Sequence, residues 1–581
     1  MIALASPTFA ADQPFDKARG KPNVIFILTD DQGYGDIAAL GNPVLKTPNM
    51  DKLHSESIRL TDYHTDPTCS PTRAALLTGR YSTRVGVTHT INGRSLLPGE
   101  ALTLAEVFKA NGYRTGMFGK WHLGANAPMR PMDQGFDYCV WSPGGAVNQG
   151  ANWLGNDCFD DTYKVNDKWH TFPGYHTDVW YREAMTFIED TKQHRDQPFF
   201  IYLPTTAVHD PWNIEDEKAE LYLDKGVPPT MAKFYAMIEN IDDNLGQLRE
   251  FLDDKGLSEN TILIYTCDNG TTAGWIDRDS GFEYFNAGMR GWKGSHYEGG
   301  HRVPFFMHWP AGGMDEGRDI DTLTAHFDVM PTLIDLLQFD KPEGPELDGF
   351  SWKGLIEGDA DALPERTIVV GVQRRYEPKK WDRTVAMKGP WRLVDGKALY
   401  HIRKDPGQQN DLSDKRPEEV AMMRQDYGMW WADMEPSHGI VARFDLGGAE
   451  NPTTLMSHDW YMNEGEGDSA WHHAYVQRNE LRNGSFAVNI KQAGKYRITP
   501  MRWPAYVDKP SGCVKADVFF TLENSGKGQQ WTTEPNAPIG PAVIELPVGP
   551  AELKSTLTRE DGKTFGAYYV KIEYLGEDEE E

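Results

Sequence analysis

Short apolar runs alternate with amphipathic stretches over the first 350 residues of the chain. Four of these runs have strand character, at residues 24–28, 113–118, 199–203 and 262–266. Hydrophobic positions recur at helical spacing in residues 102–110 and 234–252. Strands that alternate with helices in this way predict an α/β domain over residues 21–350.

The pattern changes twice further along the chain. Residues 351–437 hold two short strand candidates, 367–372 and 384–388, and a helical stretch at 418–434, which together predict a smaller α+β subdomain. Residues 438–581 predict a β-sandwich-like module, because strand-like segments there are separated by Gly, Pro and Asn turns. These segments are 486–490, 495–499, 514–522, 542–546 and 567–572. The acidic stretch 576–581 predicts a solvated tail.

The N-terminal segment 1–20 has features of an export leader. Small residues surround Ala10 and Ala11, as at a cleavage site, although a positive start and a full apolar stretch are missing. We favour a truncated leader, and hence a periplasmic or secreted protein, over a merely disordered terminus. Export would permit a bridge between Cys139 and Cys158, whose pairing the sequence leaves open. Five cysteines are too few for a disulfide scaffold.

Charge excludes some classes of partner. The chain has 581 residues, with 59 Lys and Arg against 86 Asp and Glu, so its formal net charge is −27. Such a field repels polyanions and argues against non-specific nucleic-acid binding, but it leaves room for a local basic pocket that holds a small anion. A hydrophobic content of 39% predicts packed cores, and no apolar run is long enough for a membrane span.

Polar side chains follow each of the four strand candidates. They are Asp30 and Asp31, Lys120 and His122, His209, and Asp268 and Asn269. Ligands bind at the carboxyl ends of strands in open α/β sheets, so four such ends suggest one shared site. The carboxylate and amide oxygens suit Ca²⁺ or Mg²⁺ better than zinc. Taken singly, Asp30 and Asp31 could instead form a solvated turn, and the segment 268–270 could form a hairpin-type turn.

The densest signal is the segment PTCSPTRAALLTGR at residues 67–80. Pro71 is compatible with a first helical turn, and Gly79 suits a C-terminal cap. Cys69 would then lie at a helix N-terminus, where free amides and the dipole favour an anion. The alternative for a lone cysteine is a buried structural thiol.

This segment resembles the Cys/Ser-X-Pro-X-Arg signature of the formylglycine-dependent (type I) sulfatases. Further blocks of that family follow in the family's order, with His209 at the position of a family histidine. They are NVIFILTDD at 23–31, GKWHLG at 119–124, TCDNG at 266–270, where cysteine replaces the usual serine, and KGSHYEGGHRVP at 293–304. The resemblance covers most of residues 21–437. It implies an alkaline-phosphatase-like mixed sheet sandwiched by helices.

The resemblance also implies a cofactor and a modified nucleophile. Cys69 would be oxidised to formylglycine by a formylglycine-generating enzyme, and the hydrated aldehyde would attack sulfur. The hydrate would then release sulfate by C–O cleavage. A divalent cation, Ca²⁺ rather than Mg²⁺ or Mn²⁺, would bind the ligand set Asp30, Asp31, Cys69, Asp268 and Asn269.

The remaining site residues receive their roles from the same resemblance. Arg73 would hold the hydrate, and Lys120 would contact both the hydrate and the sulfate. His122 would take the hydroxyl proton during elimination. Lys293 and His209 would bind the sulfate, and one of them would protonate the leaving oxygen. For His209 the competing interpretation is a capped loop histidine.

Other polar and aromatic residues receive no firm role. Ser142 is the nearest candidate for a serine that the family often uses after the Lys-Trp-His block. His296 and His301 are interpreted as structural or substrate-lining residues. The interval 125–190 is rich in aromatic residues that could stack on sugar rings or form a structural insertion.

The sequence thus predicts a sulfatase that acts on a sulfated carbohydrate or another sulfate ester. Within the same superfamily, the alternative is a phosphonate monoester or phosphodiester hydrolase. From another class, the alternative is a non-catalytic protein that binds sulfated glycans. The C-terminal module could bind a polysaccharide or cover the catalytic domain, and the sequence does not predict the oligomeric state.

Overall fold

The computed structural model describes residues 20–194, 197–359, 361–372, 374–523, 525–535 and 537–576. The predicted leader and the acidic tail lie outside the described residues, apart from Gly20 and Gly576. Among the residues described, no helix combines the length and the apolar character that a membrane crossing requires.

One large mixed sheet forms the centre of the protein. The strands before residue 330 are β1 (Asn23–Thr29), β2 (Ile58–Leu60), β3 (Tyr63–His64), β4 (Arg114–Lys120), β5 (Tyr138–Ser142), β6 (Thr162–Val165), β7 (Lys168–Thr171), β8 (Phe199–Pro204), β9 (Thr261–Cys267), β10 (Phe305–His308), β11 (Arg318–Ile320) and β12 (Thr324–Ala325). Strands β3 and β12 pair with each other, and the others run in the order β11-β2-β10-β9-β1-β8-β4-β5-β6-β7. The middle strands β9, β1, β8, β4 and β5 are parallel, whereas β10, β6 and β7 pair antiparallel.

Helices cover both faces of this sheet. They are α1 (Pro48–Glu56), α2 (Cys69–Thr78), α3 (Leu104–Ala110), α4 (His176–His194), α5 (Asp216–Leu223), α6 (Pro229–Asp254), α7 (Glu298–His301), α8 (Val329–Leu336) and α9 (Lys353–Ile356). Alternate residues of β1 point to opposite faces: Ile25 and Ile27 pack with α4 and α6, whereas Phe26 and Leu28 pack with α2 and α3. The apolar runs are continuous because the middle strands are buried on both faces.

The structure confirms the predicted α/β class and its main elements. The four predicted strands appear as β1, β4, β8 and β9, with ends that differ from the prediction by one or two residues. Helix α2 begins at Cys69, as expected, and Gly79 caps it with a φ of 65° and an N–H that donates to the Ala75 carbonyl. Helix α6 begins five residues before the predicted start because Pro229 occupies a first-turn position.

A smaller antiparallel sheet follows the α/β region. It contains β13 (Ile368–Gly371), β14 (Thr384–Lys388), β15 (Trp391–Val394) and β16 (Ala398–His401). Helix α10 (Pro417–Met434) packs on one face through Val420 and Met423. The other face packs against Ala75 of α2 and Phe327. This second sheet therefore lies against the helix that carries Cys69.

The C-terminal region contains two further sheets. Its strands are β17 (Phe444–Leu446), β18 (Thr453–Met456), β19 (Ser485–Ile490), β20 (Gly494–Met501), β21 (Cys513–Leu522), β22 (Ser525–Thr532), β23 (Ala542–Leu546), β24 (Gly549–Arg559), β25 (Thr564–Gly566) and β26 (Tyr569–Gly576), with α11 (His473–Arg478) before β19. One sheet has the order β17-β19-β24-β21-β22, with β25 on β24, and the other has the order β18-β26-β20-β23. Their inner faces share one hydrophobic core. We call the described residues from 438 onward the C-terminal module.

The cysteines form no disulfide. All five are buried free thiols. The bridge between Cys139 and Cys158 that export would permit is therefore absent. Burial keeps the pKa of both thiols well above its ordinary value.

Candidate active site

The side chains expected at the site meet at the carboxyl edge of the parallel strands. Asp30 follows β1, Asp268 follows β9 and Lys120 ends β4. The loop after β8 is tied to the same edge, because the Asp30 amide donates to the Ala207 carbonyl at 3.1 Å. His209 lies in that loop. The sequence separates these residues by up to 238 positions, and the parallel register brings them to one place.

Three oxygen atoms at this edge are buried and lack a hydrogen-bond donor among the described residues. They are Asp30 Oδ1, Asp31 Oδ2 and Asn269 Oδ1. Ligand atoms of Asp30, Cys69 and Asp268 also lie within 4.8 Å of one another. Buried acceptor oxygens without donors are costly unless a cation satisfies them. This donor set fits a hard divalent cation such as Ca²⁺.

Three buried cations neutralise the three carboxylates. The ion pairs are Arg73 with Asp268 at 2.8 Å, Lys120 with Asp30 at 2.6 Å and Lys293 with Asp31 at 2.6 Å. The formal charges of these six groups cancel. A divalent cation would therefore leave the centre positively charged, which suits an anionic substrate.

The carboxylates differ in their affinity for protons. Burial and the neighbouring Asp268 raise the pKa of Asp30 to about 6. Burial also opposes ionisation of Asp31, but Lys293 and His209 outweigh it and hold the pKa of Asp31 below its usual range. A bound cation would favour the ionised form of Asp30 as well.

Cys69 and Arg73 project from the first turns of α2. They are four residues apart, and this spacing places them on one face of the helix. Arg73 donates two hydrogen bonds to Asp268 Oδ2, at 3.0 and 2.8 Å, and a third to the Lys120 carbonyl at 2.8 Å. Cys69 retains only 2% of its exposed surface. The positive end of α2 and a fixed guanidinium therefore flank position 69.

His209 is held as a cation between carboxylates. Burial and Lys293 favour the neutral ring, but Asp31 and Asp210 outweigh them and raise the pKa of His209 to about 9. Its Nδ1 lies 2.9 Å from an oxygen of Asp210, and its Nε2 lies 3.7 Å from Asp31 Oδ2. The side chain remains 14% exposed. It can therefore donate a proton to a group that enters the site.

His122 has the opposite character and is held neutral. Burial, Lys120 and the nearby His458 keep its pKa well below the ordinary value. Its Nε2 lies 2.9 Å from the carbonyl oxygen of Thr90, which fixes the proton on Nε2, and its buried Nδ1 has no partner among the described residues. The lone pair of Nδ1 is therefore available to accept a proton. The backbone of His122 is in the left-handed region, with a φ of 60°.

Sequence reasoning missed the residues that surround His122. A Cβ on Gly145 would lie 2.5 Å from Nδ1 and Nε2 of the His122 ring, so only glycine fits there. Gln149 accepts from the Gly145 amide at 2.6 Å and contacts His458 of the C-terminal module. No motif links these positions. A glycine pair after the Lys-Trp-His block was the only available signal.

Arg374, near the second sheet, was missed as well. Burial lowers its pKa, while the charges of Cys69 and Asp31 act in the opposite direction. Its Nε is buried and lacks a partner among the described residues. The side chain thus adds positive charge near position 69 from a loop that the motifs do not include.

Several other candidates have structural contacts. Ser142 donates to Asn152 Oδ1 at 2.9 Å, and His296 lies 3.2 Å from a carboxylate oxygen of Asp395. His301 is buried with its Nδ1 2.9 Å from Nδ1 of His64. Four aromatic residues of the interval 125–190, which could have stacked on sugar rings, are core residues and cannot reach a ligand. They are Trp141, Tyr163, Tyr175 and Trp180.

The fold and this edge site place the protein among hydrolases of the alkaline-phosphatase-like superfamily. A family model described as Sulfatase matches residues 22–339. This match covers more than half of the chain, and the protein belongs to the sulfatase family, whose members hydrolyse sulfuric esters.

Individual relatives agree with this assignment. Human arylsulfatase G is 33% identical over 377 residues, which cover 59% of this chain and 70% of that protein. Mouse N-acetylgalactosamine-6-sulfatase is 30% identical over 443 residues, which cover 68% of this chain and 82% of that protein. The solved structure of Ps i-CgsB in complex with k-i-k-neocarrahexaose has a TM-score of 0.63 and 27% identity, covering 71% of this chain and 92% of that one.

Proposed function

We propose that this protein removes sulfate from a sulfated carbohydrate, with formylglycine at position 69 and Ca²⁺ at the carboxylate edge. The proposal is carried by one observation. Cys69 begins a helix beside three buried ion pairs and three acceptor oxygens that lack donors. The carbohydrate part is supported by the relatives, since a similar protein is named for N-acetylgalactosamine 6-sulfate and a similar structure holds a neocarrahexaose.

Position 69 would supply the nucleophile. As formylglycine, this position offers a hydrated aldehyde, which can attack sulfur and later release sulfate by C–O cleavage. The Cys69 thiol is almost fully buried in the folded chain. A formylglycine-generating enzyme would therefore act on the segment 67–80 before the domain folds. An exported location belongs to the same proposal, supported by the leader-like residues 1–12.

The cation would be held by the ligands Asp30, Asp31, Asp268 and Asn269, together with position 69. When bound, Ca²⁺ polarises sulfate oxygens and stabilises the deprotonated nucleophile. The ligands themselves are pre-oriented, because Lys120, Lys293 and Arg73 each hold a carboxylate in place.

The cations of the site would stabilise negative charge on the sulfate. Arg73 would orient position 69, and Lys120 and Lys293 lie beside it, each paired with a buried carboxylate. His209, protonated at neutral pH, donates a proton to the leaving alcohol oxygen. His122 accepts the hydroxyl proton at Nδ1, because its other nitrogen is occupied by the Thr90 carbonyl. The two histidines therefore have the opposite protonation states that acid and base require.

Two measurements test the proposal. Mass spectrometry of the peptide that contains Cys69 should show a residue about 18 Da lighter than cysteine. Turnover of 4-nitrophenyl sulfate should be abolished by Cys69→Ala. A screen of sulfated oligosaccharides then tests the substrate class. An unmodified thiol in active enzyme, or faster cleavage of a matched aryl phosphonate than of the aryl sulfate, would contradict the proposal.

A further inference from the structure

We infer that the C-terminal module completes the catalytic site, and that His458 is a positioning residue for His122. The inference rests on the proposed role of His122 as the proton acceptor. His458 belongs to the segment 457–473, which precedes β19, and its side chain is 97% buried. The contacts that hold His122 do not depend on the identity of the substrate.

Two loops of the α/β region hold the imidazole of His122. The first contains Thr90, whose carbonyl oxygen lies 2.9 Å from Nε2. The second contains Gly145, whose missing side chain leaves space for the ring. Neither loop belongs to a helix or strand, so each needs support from elsewhere to hold a catalytic ring in one orientation.

The C-terminal module supports the first loop. The Asn92 side chain accepts from the Ser469 amide at 2.8 Å and donates to Asp468 at 3.1 Å. Arg94 donates to the Met462 carbonyl at 2.8 Å. The loop that carries Thr90 is therefore bound on its outer side to the segment 462–469.

The wider segment 457–473 also supports the second loop. Gln149 Oε1 accepts from the Gly145 amide at 2.6 Å and lies 3.0 Å from Nε2 of His458. The Gly150 amide donates to the Trp471 carbonyl at 2.7 Å. One side-chain oxygen thus links the glycine that contacts His122 to a histidine of another module.

His458 also acts on His122 through charge. Its Nδ1 lies 2.7 Å from a carboxylate oxygen of Asp459, and its Nε2 faces the Gln149 oxygen. Both nitrogens therefore face hydrogen-bond acceptors. The rings of His458 and His122 are 6.0 Å apart. Interaction with His458 lowers the pKa of His122, as do the charges of Lys120 and Arg73.

The inference is tested with His458→Leu and Asp459→Asn. His458→Leu removes both contacts and the electrostatic effect of the ring on His122. Asp459→Asn removes only the carboxylate and replaces the leucine variant if that variant does not fold. We expect kcat on 4-nitrophenyl sulfate to fall roughly 10- to 100-fold in His458→Leu, with KM little changed, because the ring of His122 loses its orientation. The acid limb of the kcat profile should move to higher pH, since loss of the His458 ring removes an interaction that lowers the pKa of His122.

His438→Gln is the matched control. His438 is a half-buried histidine of the same module, but its ring packs on Trp431 of α10 rather than on either loop. Its kcat and acid limb should remain those of the wild type. Unchanged kcat in both test variants, or a fall in kcat without any shift of the acid limb, would overturn the inference.

Hydrogen–deuterium exchange provides a readout that does not need turnover. Amides of the loops 88–94 and 144–152 should exchange faster in His458→Leu than in His438→Gln. If the wild type does not hydrolyse any sulfate ester, the proposed function fails, but this comparison still decides whether the module supports the two loops. Equal exchange in the two variants would overturn the support itself.

Discussion

The space around His122 gives a sharp prediction, because one added methyl group should displace the ring. In Gly145→Ala, the new Cβ would lie 2.5 Å from both ring nitrogens. Carbon and nitrogen atoms need roughly 3.5 Å, so the ring or the loop must move by about 1 Å. A displacement of that size costs about 100-fold in rate when the group takes part in catalysis. This fall corresponds to about 2.7 kcal/mol of transition-state stabilisation.

The assay is the steady-state turnover of 4-nitrophenyl sulfate, with formylglycine content measured on the same preparations. Normalising kcat to formylglycine content separates a catalytic defect from poor modification of Cys69. The matched control is Gly150→Ala in the same loop, where the nearest atoms to a new Cβ lie 3.5 Å away. Both glycines have a φ outside the left-handed region, so alanine causes no backbone strain at either position.

We expect Gly150→Ala to retain wild-type kcat and Gly145→Ala to lose about two orders of magnitude. Thermal unfolding of Gly150→Ala should match the wild type, whereas Gly145→Ala should lose about 1–3 kcal/mol of stability, because the added methyl group overpacks a buried loop. Full kcat in Gly145→Ala would refute the assignment of His122 as a fixed proton acceptor. An equal loss in both variants would instead point to a general sensitivity of the loop.

Three further predictions concern the cation, the ion pairs and pH. The unfolding temperature should be higher in Ca²⁺ than in EDTA, and at a Ca²⁺ concentration of 100 times Kd this stabilisation is about 2.7 kcal/mol. Asn269→Ala should reduce the rise in unfolding temperature. An unchanged rise would exclude Asn269 as a ligand. In EDTA, Arg73→Met should destabilise the protein by roughly 3–5 kcal/mol in urea unfolding, because the buried Asp268 then has neither its guanidinium partner nor a bound cation, and a loss below 1 kcal/mol would contradict the pairing. Burial lowers the pKa of His176 to about 3, so below pH 6.5 the unfolded chain gains a proton that the folded chain does not, and stability falls as pH falls. His176→Phe should therefore lose roughly 2 kcal/mol less stability than the wild type between pH 6.5 and 5, and identical pH dependences would refute this.

Local patterns were sufficient for the elements whose burial is uniform. The middle strands are buried on both faces, and their apolar runs were recognised with errors of one or two residues. Strand β24 was missed because two of its buried positions, Ala551 and Ser555, are small or polar. Its inward face therefore shows only Leu553 and Leu557 as strongly apolar residues, which is a weak strand signal.

The residues of the site also fall into those that a local sequence pattern predicts and those that it does not. The sequence predicted the ten residues at the carboxyl edge, because each follows a strand or lies in a motif of the family. Their roles remain predictions. Gly145, Gln149 and His458 carry no motif and have no recognisable spacing, since Gln149 and His458 are 309 positions apart.

The sequence alone determined the uniformly buried strands, the helix that begins at Cys69 and the chemistry that is available, because helix caps, apolar runs and ligand types act over a few neighbouring residues. It could not determine that the C-terminal module reaches His122, nor that four aromatic residues are buried rather than open to sugars. Those features depend on packing between segments far apart in the chain. The tertiary structure also decided which ring nitrogen of His122 is free, because the fold places the Thr90 carbonyl beside Nε2 and leaves Nδ1 without a partner among the described residues.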